Sequence, residues 1–114
     1  MNPYDKAYEL AEALRLQADI QQMKKLKIRI QNNAAAKVMM DDFFERQQTL
    51  MKLYQSGVVP DQAKMDEVEK LMQIMSGNSL CNEYIELEMR IAEMMNDIQK
   101  ILSEAVKEAT WLNQ

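Results

Sequence analysis

The sequence predicts an all-α protein, and three observations support that class. Its 114 residues include only two Gly and two Pro, so few residues interrupt the helix formers Ala, Leu, Met, Glu, Lys and Gln. β-Branched residues are sparse, and no hairpin-type turn separates alternating apolar runs. Apolar residues instead recur at three- and four-residue spacing along five segments, which indicates about five amphipathic helices.

The first two predicted helices begin near Pro3 and Asp19. Asn2 is a suitable N-cap, and Pro3 suits the first helical position because its missing N–H has no helical partner there. Asp19 is expected to cap the second helix, with Gln22 completing a capping box three residues later. Asn33 follows the break after the second helix and can cap the third.

The third predicted helix covers residues 34–56, a length of about 35 Å, and ends at a tight turn. Gly57 can adopt the left-handed backbone conformation that often follows the end of a helix, and Pro60 prevents the helix from continuing. Asp61 or a neighbour can then cap the fourth helix. The third and fourth helices are therefore predicted to form an antiparallel hairpin.

The stretch SGNSLC, residues 76–81, predicts a joint between two helices. Gly77 can end the fourth helix, and Asn78 or Ser79 can cap a fifth that continues to about Ala109, on the order of 45 Å. A compact domain of this length has a radius of gyration of about 13 Å, so a helix this long does not fit inside it. The expectation is therefore an elongated antiparallel bundle, one domain over 1–114 with its core in 3–109 and a short tail at 110–114.

The third and fifth helices carry wide apolar faces. The fifth has a second apolar stripe beside its main one, and extra apolar faces are most simply covered by another chain. Scattered exposed apolar residues, which are normal on proteins, are the other interpretation. The prediction is a homodimer or a multiple of one, with an interface formed by Phe43, Phe44, Met51, Cys81, Ile85, Met89 and Ala92.

The net charge of −4 is unevenly distributed. Residues 1–57 carry nine Lys/Arg against seven Asp/Glu, and residues 58–114 carry five against eleven. An acidic half does not suit general phosphate binding, so direct nucleic-acid binding is not expected. The start lacks a basic-then-apolar leader, and no apolar run approaches ~18 residues. With a single cysteine, these features lead us to expect a cytoplasmic protein.

One basic cluster stands out at residues 24–29, KKLKIR. It could contact RNA phosphates or an acidic protein partner, or it could be an ordinary solvated helix face. The candidate partner-docking residues are Lys24, Lys25, Lys27 and Arg29.

Catalytic signatures are weak in this sequence. It contains no His, which removes the commonest general base and the imidazole metal sites. The pairs Glu9/Glu12 and Glu83/Glu86 could hold Mg²⁺ if they faced each other, as in some all-α nucleotide pyrophosphatases. Solvated faces are the ordinary role of such residues. Cys81 has no cationic neighbour in sequence to activate it. We predict a protein without enzymatic activity, and a metal-dependent pyrophosphatase is the alternative.

The order of the segments carries a family resemblance. YDKAYELAEAL is followed by a capped helix, then NNAAAKVMMDDFFERQ, an SG…P turn, and GNSLCNEYIELEMRIAEMMNDIQKIL. Over roughly residues 3–107 this resembles the YlbF/YmcA family of small bacterial helical regulators, and in particular its YheA-like paralogues. The shared features do not form one compact motif. They are an Asn-rich cap before the third helix, Phe43 and Gln47 within that helix, and an Asn that begins the fifth helix before Tyr84 and Glu88.

The resemblance implies a dimer-forming, non-enzymatic protein that works by assembling with protein partners. Relatives in Gram-positive bacteria support competence, sporulation and biofilm formation, and influence mRNA processing by a membrane-associated endoribonuclease. Some assembled members carry iron–sulfur clusters on cysteines. This chain departs from them because its one Cys cannot supply the usual four ligands, so no cofactor is expected.

Overall fold

The computed structural model describes residues 2–111, and the predicted all-α class is confirmed for them. Five helices and no strand occur in that range. The helices are α1 (Pro3–Leu16), α2 (Ala18–Gln31), α3 (Ala34–Gln55), α4 (Gln62–Ser76) and α5 (Ser79–Lys107).

The chain divides into two compact units. The first contains α1, the first turn of α2 and the part of α5 from Glu86 onward; the second contains Gln22–Ile85. The single domain over 1–114, with its core in 3–109, stays a prediction. Of its proposed tail, residues 112–114 lie outside the described residues.

In the first unit, the cap of α1 is confirmed and the cap of α2 is not. The Asn2 side chain accepts a hydrogen bond from the Tyr4 N–H at 2.8 Å. At the start of α2, however, the Gln17 side chain accepts from the Ile20 N–H at 3.0 Å. Asp19 lies inside the first turn and forms an ion pair with Arg90 of α5 at 3.2 Å. The predicted cap at Asp19 is wrong because α2 begins one residue earlier, at Ala18, and the Gln17 side chain supplies the capping oxygen.

In the second unit, α3 and α4 pack together as the predicted hairpin. Asn33 caps α3 by accepting from the Ala36 N–H at 2.9 Å, and Asp61 caps α4 by accepting from the Lys64 N–H at 2.9 Å. Gly57 has a φ of +79°, the left-handed conformation expected for it. Arg46 of α3 binds Glu67 of α4 at 2.7 Å, which ties the two helices together across their exposed edge.

The joint between α4 and α5 is also confirmed. Gly77 ends α4 with an ordinary right-handed backbone, φ −80°. Asn78 caps α5, since its side chain accepts from the N–H groups of Leu80 and Cys81 at 3.1 and 3.2 Å. The new helix therefore starts in a fixed direction. The core of this unit contains Leu26, Ile30, Ala36, Phe43, Met75 and Cys81.

The two glycines give a matched test of backbone conformation. Gly57→Ala places a side chain in the left-handed region and should lower the free energy of unfolding by roughly 1–2 kcal/mol. Gly77→Ala adds a methyl group at ordinary contact distance from the Ile74 carbonyl oxygen and should be neutral or stabilising by up to about 1 kcal/mol. Urea unfolding followed by circular dichroism measures both. Equal effects would contradict the assigned backbone conformations.

Cys81 provides a second test. Its side chain is buried, and burial raises the pKa of the thiol, so little thiolate forms at neutral pH. We expect a thiol reagent to label the native protein at pH 7 far more slowly than the urea-unfolded chain. Cys81→Ala should keep the helical content and lower the free energy of unfolding by about 1 kcal/mol. Rapid native labelling would show that the thiol is accessible.

Candidate functional site

The basic cluster lies on the exposed surface of α2, but its members are not equivalent. Arg29 reaches the Glu83 carboxylate of α5 at 3.5 Å, and Gln22 donates to the same carboxylate at 3.2 Å. Lys24, Lys25 and Lys27 are exposed and form no ion pair within residues 2–111. Arg29 is therefore used inside the fold, whereas the three lysines present uncompensated positive charge.

One of these lysines, Lys27, lines an open groove of about 430 Å³ between α2, α3 and the start of α5. All of it belongs to the second unit. We call it the α2–α3 groove. Its apolar lining is Met23, Ile30, Met40, Phe44 and Tyr84, and its polar lining is Lys27, Gln31, Lys37 and Asp41.

The groove has a closed base and an open mouth. Ile30 is buried, while Phe44 is 59% exposed. On the α3 side, Lys37 and Asp41 form an ion pair at 3.0 Å across one helical turn. Lys27 stands on the α2 side without such a partner in the described chain. The arrangement can accept apolar side chains and hold an anionic group at its edge.

The sequence alone did not reveal this groove. Met23, Met40 and Tyr84 fall on apolar stripes that predict core, and Lys37 and Asp41 carry no distinguishing pattern. One local signal exists: Lys27 interrupts the spacing of Met23 and Ile30 on the apolar face of α2. A charged residue within an apolar stripe marks a place where that stripe meets water.

The residues predicted to form a dimer interface divide into three groups by exposure. Phe43 is 3% exposed and Cys81 is 0% exposed within this one chain, so both side chains pack in its own core. Ile85 is half-buried. The exposed members are Phe44, Met51, Met89 and Ala92. The interface itself stays a prediction, and it depends on these exposed positions.

Three of the four glutamates in the acidic pairs are engaged by cations. Glu9 lies 3.1 Å from Lys6, Glu12 lies 3.0 Å from Arg15, and Glu83 holds Arg29. Within the described range, no three His, Cys, Asp or Glu side chains come together as metal ligands would. Among the helices of residues 2–111, none has the length and apolar composition that a membrane span requires.

Comparison with known proteins agrees with this architecture. A UPF0342 protein of Streptococcus agalactiae serotype III is 36% identical over 101 residues, 89% of this chain and 91% of the relative. One from Streptococcus pneumoniae serotype 4 is 36% identical over 110 residues, 94% and 96% of the two chains. A third, from Caldicellulosiruptor saccharolyticus, is 35% identical over 105 residues, 92% and 88%.

A solved structure shares the fold. It is described as a protein of unknown function (DUF964) from Bacillus stearothermophilus, with a TM-score of 0.81 over 97% of both chains at 18% identity. The family model described as "Control of competence regulator ComK, YlbF/YmcA" matches residues 4–107. This match, together with relatives about one-third identical over nearly their whole length, shows that the chain belongs to the Com_YlbF family.

Proposed function

We propose that this chain is a non-catalytic regulatory adaptor that acts by binding other proteins. The observation that carries the proposal is the uncompensated charge of three lysines on α2, Lys24, Lys25 and Lys27, of which Lys27 lines an open apolar groove. A charged edge next to an apolar surface is the usual composition of a protein-binding site. The family description, which concerns control of a competence regulator, supports a regulatory role.

Charge favours a protein partner over a nucleic acid. Three lysines on one helix could neutralise only a few phosphates. Nucleic-acid affinity grows with the counterions released at each phosphate contact, so a few contacts give weak binding. The chain as a whole carries −4, with eleven acidic residues against five basic ones in residues 58–114. That acidic half would repel a polyanion lying along the molecule.

The proposed setting is the cytoplasm, and the process regulated is competence, sporulation, biofilm formation or mRNA processing. These follow from the resemblance to YlbF/YmcA proteins and go beyond the general regulatory role that the family description supports. Absence of His from the sequence and the ion pairs that engage Glu9, Glu12 and Glu83 support an adaptor over a hydrolase.

We also propose that the chain forms a homodimer or a multiple of one. The support is a set of exposed apolar side chains outside the groove, among them Met51 on α3 and Met89 on α5. Large exposed apolar side chains are often covered by another protein chain. Met89 is 68% exposed and so can be changed without altering the core.

Reversing the free lysines tests the adaptor proposal. Lys24→Glu/Lys25→Glu should reduce capture of the native partner from cell extract at least about tenfold, because rim charges govern association. Helical content by circular dichroism should not change, since both side chains are exposed. Arg29 is left unchanged because it forms an ion pair with Glu83 within the fold.

Lys52→Glu/Lys100→Glu is the matched control for this experiment. It makes the same change in net charge at exposed positions away from α2 and should keep partner capture. The partner is identified by mass spectrometry, and its binding is then measured with both purified proteins. If the α2 variant keeps every partner, or the wild type binds RNA tightly at physiological salt, the adaptor proposal is wrong.

Sedimentation tests the dimer. The wild type should sediment as a dimer or larger at micromolar concentration, and Met89→Lys should shift it toward monomer because a charge enters the proposed interface. Ile101→Lys, at a position of α5 with similar exposure, is the control and should keep the wild-type mass. A stable wild-type monomer would contradict the prediction.

A further inference from the structure

We infer that the α2–α3 groove binds an amphipathic helix of a partner protein that carries acidic residues beside its apolar face. The inference rests on the proposed adaptor function and names the chemistry of the partner. It combines three properties of the groove: the length of its walls, the character of its lining and the sign of its charge.

The walls of the groove match two turns of a helix. On α2 the lining runs from Met23 to Gln31, and on α3 it runs from Lys37 to Phe44. At about 1.5 Å per residue, these walls are roughly 10–12 Å long. A docked helix would therefore place apolar side chains at i, i+3 or i+4, and i+7, the pattern of helix-in-groove recognition.

The lining suits such a ligand better than an enclosed small molecule. A drug-sized ligand is usually surrounded over about 70–90% of its surface, whereas Phe44 leaves the mouth of the groove open. Met23 and Met40 are half-buried, and methionine adapts its shape to different apolar partners. Buried Ile30 provides a closed base against which an anchoring side chain can pack.

The charge at the rim selects acidic partners. Lys27 lines the groove and Lys24 precedes it by one helical turn on the same side of α2. Across the groove, the charge of Lys37 is balanced by Asp41 at 3.0 Å. The edges therefore carry three lysines against one carboxylate. An apolar helix flanked by Glu or Asp is complementary to this surface, and one flanked by Lys is not.

The test uses a fluorescently labelled helical peptide of about 15 residues. Its Leu residues follow the i, i+3, i+4, i+7 pattern and its flank carries Glu; a second peptide has Lys at the same flank positions. Fluorescence anisotropy should show saturable binding of the Glu peptide to the wild type and at least about tenfold weaker binding of the Lys peptide.

Two substitutions locate the binding. Phe44→Ala should weaken the Glu peptide about tenfold, whereas Tyr54→Ala, which removes an aromatic of equal exposure from α3 outside the groove, should not. Lys27→Glu should weaken the Glu peptide and strengthen the Lys peptide. That reversal of preference cannot come from a loss of folding. Lys52→Glu is the control with the same charge change.

The outcomes separate this inference from the proposed function. If the native partner depends on Lys24 and Lys25 but Phe44→Ala binds both partner and peptide as the wild type does, the groove assignment is wrong and the adaptor proposal stands. If the peptides behave as expected but no native protein is captured, the groove stands and the adaptor proposal fails. If Phe44→Ala instead only turns wild-type dimers into monomers, the groove is a self-interface and the inference is overturned.

Discussion

Ala36 and Cys81 lie against each other in the core of the second unit, with no exposed surface on either residue. The Cys81 thiol donates to the Ala36 carbonyl oxygen at 3.7 Å, over 45 residues of sequence. Two small side chains let the first turns of α3 and α5 approach closely, because neither carries atoms that would hold the helices apart. A larger residue at either position would move α5 away from α3, and Tyr84, one turn further along α5, would move with it. The groove depends on this contact.

The basic cluster of α2 contains one residue that is engaged within the fold and three that are not. Arg29 reaches across to Glu83, and Gln22, about two turns earlier on α2, binds the same carboxylate, so α2 and α5 are connected through one residue of α5. An exposed ion pair of this kind stabilises little by itself. Lys24, Lys25 and Lys27 are not needed for that contact, and their charge is available to a partner.

Local signals in the sequence predicted most of the fold. Asn2, Asn33, Asp61 and Asn78 all cap helices as expected, because a cap needs only its own residue and the next three. The cap at Asp19 was wrong because α2 begins at Ala18, and the Asp19 carboxylate instead binds Arg90, 71 residues away, a contact that no local pattern contains. The groove was missed for the same reason: it exists only where three separate helices meet. The one local sequence signal of the groove is the position of Lys27 within an apolar stripe of α2.

Neighbouring Phe43 and Phe44 connect the core to the candidate site. Successive residues of an α-helix point about 100° apart, so α3 can bury Phe43 in the core while Phe44 faces the groove. Exposing an aromatic side chain forgoes roughly 25 cal/mol for each square ångström of apolar surface left in water. That free energy is not used in folding, so it is available when a partner covers the groove. The lysines at the rim add direction to this non-directional attraction, since they favour the approach of an acidic partner and oppose a basic one.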